Sequence, residues 1–247
     1  MIELDKIVGF LPTNTFEIKQ KREVLPYKHA RIKFRKNGIW LTVSGKTVAT
    51  KNSLTGITKE NIKFLIQVLQ NKLGLTIAES SFLNMQVYCV DLKKDVIVDY
   101  DDVSGLLSYM RELAYKNTTK QEILSYYNQY GFENSILVKS TCKTIKDSLL
   151  IYDKKQEIFK NRKSDFDYFN NFSSDFFKTN QNILRFERRL QKAKNIRKAF
   201  HSQSIRLEDL LNTPYNVLGE KVCEVLGFNN RNSKTRKEQT NESSELH

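Results

Sequence analysis

Histidine is scarce in this 247-residue sequence: His29, His201 and His247 are the only ones. They form no local pair, which excludes HExxH zinc hydrolases and any His-x-His metal site. A bound metal would have to rely on oxygen ligands. Cysteine is equally sparse, with Cys89, Cys142 and Cys223 and no CxxC spacing, so a reduced cytoplasm is expected rather than a disulfide framework. The opening residues Met1-Ile2-Glu3-Leu4-Asp5-Lys6 lack a basic stretch followed by an apolar one, and no apolar run reaches membrane-spanning length. The expectation is a cytoplasmic protein with no membrane partner.

Positive charge is abundant: 41 Lys+Arg stand against 28 Asp+Glu, a formal net charge of +13, spread along the whole chain. A polyanionic partner follows from that balance. Charge alone does not separate DNA from RNA, the ribosome or an anionic membrane.

Residues 2–10, 15–24, 30–36 and 39–44 are short and rich in Ile, Val, Phe, Thr and Trp. Pro12, Pro26 and Asn37-Gly38 punctuate them, so they read as strands, the last pair joined by a tight hairpin. Over 58–73 the period changes. Ile62, Leu65, Ile66, Leu69 and Leu73 share one helical face, which Thr58 is placed to cap. Residues 83–92 return to strand, and a helix after Asp101-Asp102 carries Val103, Leu106, Leu107, Met110 and Ala114 as its apolar stripe.

Segments 133–140 and 146–152 read as a strand pair, and 154–179 as helix with a break. Residues 182–190 read as a strand with Leu184, Phe186 and Leu190 inward and Arg185, Glu187 and Arg189 outward. Helices near 192–200, 206–212 and 214–226 close the fold, and the polar stretch 229–247 is expected to be disordered. The pattern predicts one α+β domain over 1–228, a mainly antiparallel sheet with helices on one face and a polar face left open.

Three segments place a reactive or ionisable group at the edge of an apolar strand. They are Val87-Tyr88-Cys89-Val90-Asp91, Leu149-Leu150-Ile151-Tyr152-Asp153-Lys154-Lys155-Gln156-Glu157, and Ile183-Leu184-Arg185-Phe186-Glu187-Arg188-Arg189. Converging carboxylates without histidine suit a hard cation such as Mg²⁺ or Mn²⁺. Phosphoryl transfer to a tyrosine needs a phenol held near its anion and cations against the phosphate oxygens. Taken singly, each residue has an ordinary role: Tyr152 in packing, Asp91 in a turn, Glu187 in a surface ion pair, Lys154-Lys155 as solvated surface.

In combination and order, the segments carry more. Tyr152-Asp153-Lys154-Lys155-Gln156-Glu157 resembles the "Y-[DN]-K-x-x-E" segment of rolling-circle plasmid initiators and filamentous-phage gene II/X replication proteins. Leu184-Arg185-Phe186-Glu187-Arg188-Arg189-Leu190, continuing through Ile196-Arg197-Lys198-Ala199-Phe200, is similar to that family's "hydrophobic-R-F-E-x-R-hydrophobic" strand and the helix after it. Val90-Asp91 resembles the family's "R-x-D" strand, with Tyr88-Cys89 standing where an arginine is usual.

The resemblance covers roughly residues 30–212 and implies a Rep/relaxase-like fold and a DNA-nicking enzyme. Tyr152 would be the nucleophile and Lys154 a phosphate contact. Asp91 and Glu187 would ligate Mg²⁺ or Mn²⁺, with Glu157 as a ligand or structural residue, and Lys155, Arg185, Arg188 and Arg189 would bind DNA. The implied partners are origin DNA, single-stranded or supercoiled, and a host helicase and polymerase. Two rivals stand beside this reading: a non-catalytic origin-binding regulator, and a relaxase or transposase of similar fold.

Overall fold

A computed structural model describes residues 2–18, 27–49, 54–98, 102–131, 133–178 and 181–228. The expected tail at 229–247 lies outside the described residues, as do parts of the expected strand at 15–24. The strands are β1 (Leu4–Pro12), β2 (Phe16–Ile18), β3 (Ala30–Arg35), β4 (Gly38–Ser44), β5 (Leu75–Ile77), β6 (Gln86–Val98), β7 (Gln121–Tyr127), β8 (Glu133–Ser140), β9 (Asp147–Asp153) and β10 (Asn182–Gln191). The helices are α1 (Ile62–Leu73), α2 (Glu79–Leu83), α3 (Val103–Asn117), α4 (Lys154–Lys160), α5 (Phe166–Phe169), α6 (Ser174–Lys178), α7 (Ala193–Ala199), α8 (Leu207–Leu211) and α9 (Val217–Leu226).

The protein is α+β. Eight strands form one sheet in the order β3-β4-β1-β6-β10-β9-β8-β7, while β2 and β5 pair separately. Every ladder of the large sheet is antiparallel. Alternation sorts the side chains. Ile7, Leu41, Val43, Val90, Leu92, Leu149, Ile151, Leu184 and Leu190 enter the main core, where Leu65 and Leu69 of α1, Leu107 of α3 and Val225 of α9 join them. The expected α1 face is seen, and Gly74 closes that helix in a left-handed conformation, its N–H donating to the Gln70 carbonyl.

The expected pattern needs three corrections. The strand expected to end at 92 runs on to Val98 as β6, because Lys93 and Asp95 continue the polar alternation and find partners on that face. The strand β7 was not anticipated: it begins right after α3, and its inward residues are only partly buried. Nor do helices cover one face alone. Helices α4 to α6 gather Ile158, Tyr168 and Phe172 with Phe169, Phe176 and Phe177 into a second apolar cluster. It lies on the polar side, where Asp165 pairs with Lys46 at 2.6 Å and with His29 at 3.2 Å. Seven short-range aromatic pairs within this segment account for its cohesion without a long amphipathic helix.

Candidate active site

Register places the three motif residues on one face. Arg185 of β10 lies opposite Tyr152 of β9, and Arg189 lies opposite Asp91 of β6. Glu187 falls between Arg185 and Arg189 on the same side of its strand. The row holding Asp91 is therefore one pleat repeat from Glu187, on the order of 7 Å along the strand.

The Tyr152 hydroxyl donates to Glu187 Oε1 at 2.5 Å. β9 ends one residue later, where the Asp153 carboxylate accepts from the Gln156 N–H and caps α4. That abrupt strand-to-helix change turns Lys154 back beside Tyr152. Lys154 Nζ lies 5.8 Å from the Tyr152 ring centre and 5.7 Å from that of Tyr168. One helical turn on, Glu157 accepts from Lys154 at 2.7 Å and also from Asn161. The i,i+3 spacing of Lys154 and Glu157 is what brings the pair together.

Arg185 lies at the centre of this arrangement and is 2% exposed. It grips Asp95 through two hydrogen bonds of 2.6 and 2.7 Å, reaches Asp5 at 3.0 Å, and comes within 3.8 Å of Glu187. Asp5 gets there through the irregularity of the β1–β6 register between Leu4 and Lys6. A planar guanidinium thus serves as the counter-cation for three carboxylates.

Electrostatics follow from burial. Desolvation pushes the Tyr152 phenol far above its ordinary value, and the negative charge of Glu187 adds to that. Desolvation and the charge of Asp5 raise Glu187 to about 7, against the lowering effects of the Tyr152 hydrogen bond and Arg185. Burial and the neighbouring Arg185 charge lower Lys154. Burial raises Asp95, but its hydrogen bonds and ion pair with Arg185 prevail and leave it below the usual carboxylate range.

The other motif residues are placed as follows. Asp91 is buried and takes Arg189 in a bidentate pair, its Oδ2 at 2.7 Å from Nη2. Arg189 keeps about half of its side chain exposed. Arg188 faces the opposite side of the sheet, where it pairs with Asp147 and donates to the Val217 carbonyl. Lys155 is buried, donates to the Gln181 carbonyl and packs against the Phe176 ring.

Asp91, Glu187 and Glu157 do not converge on a point. Each is held by a different partner: Arg189, Tyr152 and Lys154 respectively. Among the described residues no group of three or more His, Cys, Asp or Glu side chains is placed to hold a metal ion. As arranged, this donor set does not fit a divalent cation: Asp91 and Glu157 are neutralised by Arg189 and Lys154, and Glu187 shares Arg185 with Asp5 and Asp95.

Sequence reasoning had not singled out Asp5, Asp95, Lys46 or Tyr168. Asp95 had a signal, since Asp91, Lys93 and Asp95 alternate along β6; Tyr168 had none. No protein-family model matches the chain, and no curated protein is significantly similar to it. Among the described residues no helix is long and apolar enough to cross a membrane.

Proposed function

We propose that the chain is a DNA-nicking replication initiator of the rolling-circle type, with a relaxase-like sheet and Tyr152 as its nucleophile. The observation that carries this reading is the 2.5 Å hydrogen bond from the Tyr152 hydroxyl to Glu187, flanked by Lys154 and Arg185. A phenol is a poor nucleophile until it loses its proton, and Glu187 is within reach to take it. Tyr152 Oη would attack the scissile phosphorus as its proton passes to Glu187. The bond from phosphorus to the 3′ oxygen breaks, that oxygen leaves as a 3′-hydroxyl after protonation, and a 5′-phosphotyrosyl link remains. Lys154 and Arg185 supply positive charge beside the phosphate. The reverse attack by a 3′-hydroxyl rejoins the strand without an external energy source.

Tyr152 is 9% exposed, so a phosphate reaches it only when the side chains packed around it shift. That burial, with a phenol held far above its ordinary pKa, favours a second reading: a non-catalytic protein that binds origin DNA and regulates its use. Nicking and regulation separate in one assay. The protein is incubated with a supercoiled plasmid carrying the genomic segment that encodes it, with Mg²⁺, with Mn²⁺ and with a chelator. Nicked plasmid bearing covalently attached protein, lost in Tyr152→Phe, supports the nicking reading. Binding without any nicked product supports the regulator.

A further inference from the structure

At the far end of the same polar face, the β3-β4-β1 end, cations stand without partners. Arg31, Lys33 and Arg35 alternate along β3, are exposed, and form no ion pair among the described residues. Lys33 lies opposite Trp40 of β4, which lies opposite Phe10 of β1. Trp40 is half-buried, its ring 5.6 Å from Phe10 and 5.0 Å from Tyr88. Tyr88 reaches it because the β1–β6 register slips between Val8 and Gly9, leaving one extra residue on β6.

These side chains border a shallow depression of about 380 Å³, lined by Arg31, Lys33, Arg35, Trp40, Val8 and Thr42 with no carboxylate. A second depression of about 620 Å³ shares Val8, Arg31 and Thr42 with it and extends past Lys6 to Lys46 and Asp165. The two form one groove from the edge of the sheet toward the segment between α4 and α5, where Asn161, Ser164 and Asp165 line it. Edge strands do carry cations to discourage pairing with other chains. That role requires neither an aromatic platform between them nor a groove.

We infer that this groove is a track for single-stranded DNA, with Arg31, Lys33 and Arg35 on the phosphates and a base stacked on Trp40. The charge pattern selects a polyanion, and the aromatic surface selects one whose bases are unpaired and free to stack. Duplex DNA satisfies the first condition and not the second. The inference rests on the nicking reading for the choice of DNA over RNA and for the direction in which the strand runs, toward Tyr152.

Trp40 is the sole tryptophan of the chain, so its emission reports stacking directly. The full-length protein is titrated with an oligothymidylate of about 12 nucleotides, and with a duplex of the same length. Saturable quenching by the single strand and none by the duplex is expected. The combined variant Arg31→Gln, Lys33→Gln, Arg35→Gln, which changes only exposed side chains, is expected to bind at least about tenfold more weakly, and its log–log salt dependence to be shallower by about 2. The track is overturned by saturable binding without quenching, by equal quenching with duplex, or by wild-type affinity in the combined variant.

The covalent adduct assay reads the other proposal separately. Quenching without an adduct removes the role of Tyr152 and keeps the track. An adduct formed without quenching keeps Tyr152 and removes the track.

Discussion

The two ends of the polar face carry similar residues in opposite circumstances. Around Tyr152 the charges are buried and matched: Arg185 with Asp95 and Asp5, Lys154 with Glu157, Arg189 with Asp91. Around Trp40 the cations are exposed and, among the described residues, unmatched. The difference shows that net charge says little about where a polyanion is first drawn in, because a cation locked to an internal carboxylate adds little attraction at a distance. It also assigns different tasks: the matched end fixes side chains in place, and the unmatched end attracts.

That contrast is broken most severely at Arg185. Arg185→Met takes the shared guanidinium from buried Glu187 and half-buried Asp5 and Asp95, leaving Lys93 as the cation beside Asp95, and is expected to cost about 4 kcal/mol at neutral pH. The loss should shrink in acid, where the orphaned carboxylates protonate. Urea unfolding at two pH values measures both effects.

Tyr168→Ala removes a 4% exposed ring that shares Lys154 as a neighbour with Tyr152 and should cost about 3 kcal/mol. Tetranitromethane should then nitrate Tyr152 faster, as read by peptide mapping.

Glu187→Gln acts in the opposite sense. Because the folded protein raises Glu187 from 4.5 to about 7, its contribution to stability is present below pH 4.5 and is lost as pH rises through 7. A neutral amide avoids that loss while its oxygen still accepts from Tyr152. The variant should be more stable than the wild type by about 2 kcal/mol at pH 8, with little difference at pH 4, and should form no adduct. The smallest effect belongs to the far end, where changing Arg31, Lys33 and Arg35 to Gln should alter stability by no more than about 0.5 kcal/mol each.

Sequence periodicity revealed what depends on local pattern. The face of α1, a tight hairpin beside Asn37-Gly38 (its turn is Lys36-Asn37, with Gly38 opening β4), and the alternation of Arg185, Glu187 and Arg189 were readable, and the last placed a carboxylate on the strand that meets Tyr152. What stayed hidden depends on distant pairing. Asp5 joins Arg185 only through a local irregularity between β1 and β6, and nothing in Leu4-Asp5-Lys6 marks it. Tyr168 comes to lie beside Lys154 because six aromatic residues of one irregular segment prefer each other to solvent, a preference without period. Asp91 and Glu157 were read as potential ligands from their type, but which cation each would meet is a matter of register across strands and of the first turn of α4.

The most direct test of the Tyr152–Glu187 pair is a ¹³C NMR titration of the Glu187 side-chain carboxyl carbon, in the wild type and in Tyr152→Phe. A midpoint near 7 in the wild type, moving higher once the phenolic donor is gone, is the expected result. A midpoint at the ordinary glutamate value, unchanged by the substitution, would contradict it.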